Sequence, residues 1–171
     1  MHKIAIAALL TAFVAAPAAA DTYLGLKAGL ANTDFDNKTL TSENRTTFGM
    51  FGGYHINKIL AAEAEFIGLG KVEFVGGGAR SNALSLSVIG LVPVGGVFSL
   101  YGKLGVARAS TEATSGVRVR RTSGTYGFGG QYDVNPSTAL RLSFDHYNLG
   151  KPAAFPSGTA NVLSLGGMLK F

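Results

Sequence analysis

The chain has 171 residues, including 24 glycines and no cysteine, and 47% of its residues are hydrophobic. The lack of cysteine excludes a disulfide framework and a cysteine-based metal site. The net charge of +5 is modest and partly concentrated in one segment, so it does not indicate binding to nucleic acid.

The first 20 residues have the features of an export signal. A short positive start ending at Lys3 is followed by a largely apolar run at 4–16 and by small residues at 17–20. This order is typical of a secretory signal peptide, and the run is shorter than the about 20 residues that a membrane-spanning helix needs. We therefore predict a cleaved signal peptide at residues 1–20 and one exported domain at residues 21–171.

The rest of the chain alternates between apolar residues and small or polar residues, which is typical of β-strands. The length of each segment is close to that of a tilted membrane-spanning strand, about 10 residues. The eight predicted strands are Thr22–Ala31, Thr46–Ile56, Leu60–Leu69, Asn82–Val92, Phe98–Arg108, Gly124–Val134, Thr138–Tyr147 and Ala160–Phe171.

In the predicted strands, apolar side chains share one face, while small, polar and charged residues are concentrated on the other. In the first strand Leu24 and Leu26 alternate with Gly25 and Lys27. A soluble barrel such as a lipocalin would direct its polar residues outward, whereas a membrane barrel directs its apolar residues outward to lipid. The pattern predicts an all-β fold, an eight-stranded antiparallel up-and-down transmembrane β-barrel.

The lengths of the connections between predicted strands also alternate. Short turn sequences stand at 57–58, 93–96 and 135–137, and longer polar stretches stand at 32–45, 70–81, 109–123 and 149–159. Short turns on one side and long loops on the other are the layout of outer-membrane barrels.

Six charged residues fall on the inward face of the predicted barrel, three of each sign: Lys27, Glu63, Glu65, Lys103, Arg141 and Asp145. An unpaired charge in a narrow interior is costly, so we expect these side chains to pair. The pairs can act as a rigid structural core or as a charged gate across a narrow water path.

Several segments resemble the transmembrane domain of the outer membrane protein A family. The matching segments are 23–29, 51–57, 100–105, 136–142, 163–166 and 170–171. In that family a lumen glutamate on the third strand switches between an arginine and a lysine partner and gates a small pore. These positions fall on Glu63 and Arg141, but Ile89 occupies the fourth-strand lysine position and Gln131 that of its acidic partner on the sixth strand.

The resemblance therefore implies a retained Glu63–Arg141 pair, lost alternative partners and a static plug. It also implies a small stand-alone barrel without the family's peptidoglycan-binding domain. The barrel assembly machinery would recognise the last strand and its terminal Phe171 during insertion.

Two other features could carry chemistry. The sequence predicts a basic surface loop with Arg118, Arg120 and Arg121, which could bind lipopolysaccharide or another anion, or could simply be solvated. His146 ends the seventh strand where similar small barrels that deacylate lipid A carry a catalytic histidine. The serine of that arrangement is missing at Asn148, although Ser143 lies nearby in sequence. No pattern indicates a cofactor or a metal.

We predict an integral outer-membrane protein of a Gram-negative bacterium, without catalytic activity and with a structural or surface-interaction, adhesion-like role. A narrow ion-conducting pore and a lipid A-modifying hydrolase are the alternatives. The expected partners are outer-membrane lipids and lipopolysaccharide, the assembly machinery, and a host or surface ligand.

Overall fold

The computed structural model describes residues 21–35, 44–74, 77–113, 118–148 and 158–171. Within these ranges the chain forms eight β-strands. They are β1 (Thr22–Phe35), β2 (Asn44–Asn57), β3 (Leu60–Phe74), β4 (Gly77–Gly95), β5 (Phe98–Ala113), β6 (Arg118–Asn135), β7 (Thr138–Asn148) and β8 (Gly158–Lys170). The predicted signal peptide lies outside the described residues.

Every strand pairs antiparallel with its neighbour in the chain, and β8 pairs with β1, so the sheet is a closed barrel. Closure leaves no unpaired sheet edge, because the last edge hydrogen-bonds to the first. The backbone N–H of Phe171 continues the seam by donating to the carbonyl of Thr22 at 2.9 Å. The predicted fold class is confirmed.

Three short turns gather at one end of the barrel, after β2, β4 and β6. Asparagine side chains shape two of them. Asn57 Oδ1 accepts hydrogen bonds from the backbone N–H groups of Ile59 and Leu60, and Asn135 Oδ1 accepts one from Ser137. These side chains take the place of backbone partners and fix the reversal of the chain.

The two faces of the sheet follow the alternation of the sequence. Leu26, Leu86 and Leu104 point away from the barrel and are 65%, 61% and 71% exposed, whereas charged residues on the inner face are nearly inaccessible. A wall of exposed large apolar side chains on every strand is unfavourable in water, and it fits an environment of acyl chains. No helix in the described ranges has the length and hydropathy needed to cross a membrane.

The strands extend further than the sequence predicted at the end opposite the short turns. Strand β5 continues to Ala113 and β6 starts at Arg118, so most of the loop predicted at 109–123 is a paired ribbon. The prediction followed the outward apolar face, which stops where lipid would stop. Antiparallel hydrogen bonding does not depend on that face and continues beyond it.

The prediction that Arg118, Arg120 and Arg121 lie in a loop is therefore wrong. Their backbones belong to β6 and pair with Glu112, Ser110 and Ala109 of β5. Their side chains lie outside what the structure describes.

If the exposed wall faces acyl chains, a charge placed on it should be costly in a depth-dependent way. Leu104 lies near the middle of β5, whereas Val97 lies in the short turn before that strand. We expect Leu104→Lys to lower the free energy of unfolding in lipid vesicles by about 2–4 kcal/mol, and Val97→Lys by about 0–1 kcal/mol. Equilibrium urea unfolding in phosphatidylcholine vesicles measures both values. Equal and small effects would contradict a lipid-facing wall.

Candidate functional site

The six charged residues predicted for the barrel interior lie together in one layer of the lumen. They come from β1, β3, β5 and β7, and each is no more than 6% exposed. Alternation places these side chains inward, and the register of the strands brings them to one height. Three cations and three anions are thereby enclosed in a space that the barrel wall shields from lipid.

Four of the six residues form a closed ring of alternating charge. Lys27 Nζ lies 2.7 Å from Glu65 Oε1 and 2.8 Å from Asp145 Oδ2. Lys103 Nζ lies 2.7 Å from Glu65 Oε2 and 2.9 Å from Asp145 Oδ1. Each carboxylate uses both oxygens, one for each lysine, so every charge in the ring has two opposite neighbours.

The other two charged residues form a separate pair. Arg141 Nη1 lies 2.5 Å from Glu63 Oε2, and Arg141 Nη2 donates a 3.0 Å hydrogen bond to Gln131 Oε1. The Tyr23 hydroxyl donates to the same oxygen of Glu63 at 2.9 Å. The sequence predicted the Glu63–Arg141 pair, and Gln131 now contributes a neutral acceptor where the family resemblance implies an acid.

Aromatic rings surround the guanidinium group of Arg141. Its Cζ lies 5.3 Å from the ring centre of Tyr23, 5.0 Å from that of Phe51 and 4.8 Å from that of Tyr101. The negative faces of the rings attract the cation and replace part of its lost hydration. Sequence reasoning missed these rings because inward tyrosine and phenylalanine residues look the same as ordinary lumen filling.

Lys103 connects the ring to the pair. Its Nζ lies 4.0 Å from Glu63 Oε1, at the limit of an ion pair. The resemblance implied that Glu63 has lost its alternative partners, but Lys103 places a second cation near it. The family position on the fourth strand is indeed apolar, since Ile89 is fully buried there, but a lysine on β5 reaches the same glutamate.

Buried side chains close the lumen on both sides of the charged layer. Tyr147 donates a 2.5 Å hydrogen bond to Glu65 on the side of the long loops, as Tyr23 does to Glu63 on the side of the short turns. Each tyrosine belongs to an apolar cluster, Tyr23 to one with Phe51, Ile89 and Met168, and Tyr147 to one with Val162. A cavity beside the charges measures about 10 Å³, about the space of a single water molecule.

Glycines on the inner face make room for this packing. A Cβ atom on Gly127 would collide with Asp145 Oδ1 and approach the Lys103 side chain to 3.1 Å. A Cβ atom on Gly53 would collide with the hydroxyl of Tyr23. Without side chains at these two positions, the carboxylate and the phenol can reach their partners.

The layer is suited to closing the lumen, and its carboxylates are already paired. Each of its three carboxylates contacts at least one cation within 2.9 Å. Among the described residues, no group of three or more histidine, aspartate or glutamate side chains is arranged to hold a metal ion.

A family model described as the outer membrane protein beta-barrel domain matches residues 5–171. The chain belongs to this outer membrane β-barrel family. It is an outer membrane β-barrel protein, and its location is the bacterial outer membrane. The exposed apolar wall accordingly faces lipid, and the short turns lie on the periplasmic side.

Similar members of the family include outer membrane protein A of Escherichia fergusonii, 28% identical over 162 residues that cover 85% of this chain. Outer membrane protein P5 of Haemophilus influenzae is 32% identical over 164 residues that cover 76% of this chain. The matches cover 46% of each relative, so the chain spans about half the length of the curated relatives it matches.

Solved structures show the same fold. Neisserial surface protein A superposes with a TM-score of 0.70 at 21% identity, over 88% of this chain and 97% of that one. The Yersinia pestis attachment invasion locus protein Ail, in complex with the heparin analogue sucrose octasulfate, gives 0.63 at 17% identity, over 88% and 98%. At such identities the likeness concerns the fold of this outer membrane β-barrel.

The structure separates the two residues considered for a hydrolase. Ser143 points into the lumen, where its hydroxyl lies 2.7 Å from that of Ser164. His146 lies on the outer face, where its Nδ1 contacts Asn161 Oδ1 at 2.7 Å and its ring stacks on Tyr126. A nucleophile and its base must be within hydrogen-bonding distance, which residues on opposite faces of the wall cannot be.

Breaking the Glu63–Arg141 pair should leave Glu63 buried with only the more distant Lys103 ammonium, 4.0 Å away, to compensate its charge. We expect Arg141→Met to lower the free energy of unfolding by about 3–5 kcal/mol, and the double variant Arg141→Met/Glu63→Gln to recover part of the loss. Urea unfolding in lipid vesicles measures both variants.

The control for this cycle is Lys170→Met. Lys170 pairs with Asp133 at 2.6 Å, but the two side chains are 21% and 34% exposed, so its loss should cost at most about 1 kcal/mol. A double variant that is as unstable as the sum of its parts would show that Glu63 and Arg141 are not energetically coupled.

Proposed function

We propose that the protein is a surface-interaction barrel that binds anionic polysaccharide through its long-loop end and transports nothing through its lumen. The observation that carries this proposal is the neutral, tightly packed layer of six charges, where the cavity beside the charges has room for about one water molecule, about 10 Å³. A barrel closed in this way would meet a polysaccharide outside the cell at its outer end and not through its lumen. This role corresponds to the adhesion-like function predicted from the sequence.

The β5–β6 ribbon supports a basic ligand-binding site at that end. Strands β5 and β6 have 16 and 18 residues, whereas a tilted strand crosses the membrane with about 9–11. The surplus projects beyond the membrane and carries Arg118, Arg120 and Arg121 in its register.

The register also indicates which of these arginines should contribute most to binding an anion. Glu112 of β5 pairs with Arg118 on β6 and with Arg80 on β4. Arg118 therefore has an acidic residue at its paired position. Ser110 and Ala109 stand opposite Arg120 and Arg121. We therefore assign the larger contribution to Arg120 and Arg121, whose paired positions on β5 carry no acid.

Sulfated polysaccharide is the ligand class that the structural likeness to Ail favours. Ail shares the fold and has been solved with a heparin analogue. Guanidinium groups form charge-assisted hydrogen bonds with sulfate and phosphate oxygens, so an arginine-rich ribbon is suited to such ligands. Lipopolysaccharide of neighbouring cells offers comparable anionic groups.

Neutralising the ribbon should weaken binding to heparin. We expect Arg120→Gln/Arg121→Gln to raise the dissociation constant at least about tenfold, and Arg118→Gln to raise it less. Binding of the detergent-solubilised protein to immobilised heparin, measured across a range of salt concentrations, checks both expectations.

The control variant is Lys58→Gln, which removes an exposed charge in the periplasmic turn between β2 and β3. Heparin binding that is equally weak in this variant would point to net charge and not to the ribbon. Wild-type protein that does not bind heparin would overturn the polysaccharide proposal.

A narrow ion-conducting pore is the second candidate, favoured by one contact. Lys103 Nζ lies 4.0 Å from Glu63 Oε1, so this carboxylate could exchange Arg141 for a lysine. Such an exchange would have to open a path past the buried tyrosines on both sides of the layer.

Planar-bilayer recording separates the closed layer from the pore. We expect wild-type protein to be silent, because the charged layer and its apolar neighbours exclude a column of water. Discrete conductance that changes in Glu63→Ala, but not in Asp133→Asn at the short-turn end of β6, would instead establish the pore.

We also propose that residues 1–20 direct export and are removed, and that the last strand with Phe171 is recognised during barrel assembly. Phe171 is 60% exposed and continues the outward apolar face of β8. An assembly factor could therefore contact it before the β1–β8 seam closes.

A further inference from the structure

A groove of about 400 Å³ lies on the outer face of the wall near the long-loop end, lined by Leu104, Gly105, Gly124, Thr125, Tyr126, His146 and Asn148. Its residues come from β5, β6 and β7. Its volume is within the range of small-molecule sites, about 300–1,000 Å³. The function proposed above does not use it.

Gly124 explains why the wall is indented there. It stands opposite Val106 on the outward face, and a Cβ atom at this position would meet no heavy atom within 4 Å. On most of the wall such a position holds a large apolar side chain, so the missing side chain leaves a gap between neighbouring strands.

One side of the groove is polar, which is unusual for a lipid-facing surface. The rings of Tyr126 and His146 stack with their centres 4.8 Å apart, and His146 Nδ1 contacts Asn161 Oδ1 at 2.7 Å. Leu104 on the other side is 71% exposed. The groove therefore combines apolar side chains with polar ones on a surface that otherwise faces lipid.

The depth of the groove in the membrane can be estimated from β5. Arg108 is ten residues from Phe98, the first residue of that strand. This separation is about 33 Å along the strand, or about 25 Å along the barrel axis at the usual tilt, which is the height of the apolar band. Arg108 is thus at the outer boundary of the band, and the groove extends from Gly124 below it to Leu104 nearer the middle of the band.

Arg108 also shares the outward face with the groove. It follows Val106 by two residues, it is exposed, and it pairs with Thr122 on β6. Its guanidinium group is placed to meet an anion at headgroup depth. An arginine on the same outward face, two residues beyond Val106 and toward the outer end from the groove, is complementary to a lipid that has a phosphate above and polar acyl linkages below.

We propose that this groove is a binding site for the phosphorylated glycolipid of the outer leaflet, the lipid A portion of lipopolysaccharide. Arg108 pairs with a phosphate. The head of one acyl chain lies over Gly124, with its amide and hydroxyl groups toward His146 and Asn148 and its methylene groups against Leu104. Ordinary phospholipids have the phosphate but lack the acyl hydroxyl and amide groups.

Native mass spectrometry of the detergent-solubilised chain titrated with purified lipid A tests the site. We expect Arg108→Gln and Gly124→Leu each to raise the dissociation constant for the first bound lipid A about tenfold. Lipid A lacking its phosphates should bind wild-type protein as weakly as it binds Arg108→Gln. Phosphatidylglycerol should bind more weakly than lipid A and should respond less to both substitutions.

Matched variants control for charge and for bulk on the wall. Lys58→Gln removes a cation at the opposite end, and Gly167→Leu adds the same side chain at an outward glycine that also has no heavy atom within 4 Å of a Cβ. Both should bind lipid A as wild-type protein does. Unchanged lipid A binding in Arg108→Gln and Gly124→Leu would overturn the proposal.

Phosphatidylglycerol binding that falls as much as lipid A binding would overturn the assignment to lipid A and leave a general phosphate site. Electrophoretic mobility of unheated samples shows whether each variant is folded. If Gly124→Leu does not fold, Arg108→Gln and the dephosphorylated lipid decide the question, because neither alters the packing of the wall.

Discussion

The neutrality of the charged layer is the constraint on which the rest of this barrel depends. Removing a carboxylate or an ammonium group from water costs several kcal/mol even after relaxation, so each charge in the lumen requires an opposite charge at contact distance. Glu65 and Asp145 each contact both Lys27 and Lys103 within 2.9 Å, and Glu63 is held by Arg141. Because the signs balance within the layer, the interior can stay closed without bulk water.

The composition of the wall follows from that interior. Glycines such as Gly53 and Gly127 are required where a phenol or a carboxylate passes close to the neighbouring strand. The apolar residues that would form the core of a soluble protein are instead directed to lipid. The proposed binding sites lie on the two surfaces that remain, the projecting β5–β6 ribbon and the outer wall, and neither needs the charged layer to move.

Much of this arrangement could be predicted from the sequence, because side-chain alternation determines which face a residue occupies. Strand number, the outward apolar wall and the membership of the charged layer all follow from it. Alternation does not give the height of a residue in the barrel. The ring of four charges, the contact of Lys103 with Glu63 and the rings around Arg141 depend on the register of non-neighbouring strands. The extension of β6 to Arg118 was missed because pairing continues where the apolar pattern stops.

Access of water to the layer is the most direct measure of the central claim, and the lack of native cysteine makes it simple to obtain. Ser143 lines the small cavity beside the charges, and Val97 lies in an exposed turn. Single cysteines at these two positions can be treated with a charged thiol reagent in reconstituted vesicles. A closed layer predicts rapid modification of Val97→Cys and none of Ser143→Cys in the folded protein. Comparable rates of modification at the two positions would show that water and ions reach the layer, and would contradict a closed lumen.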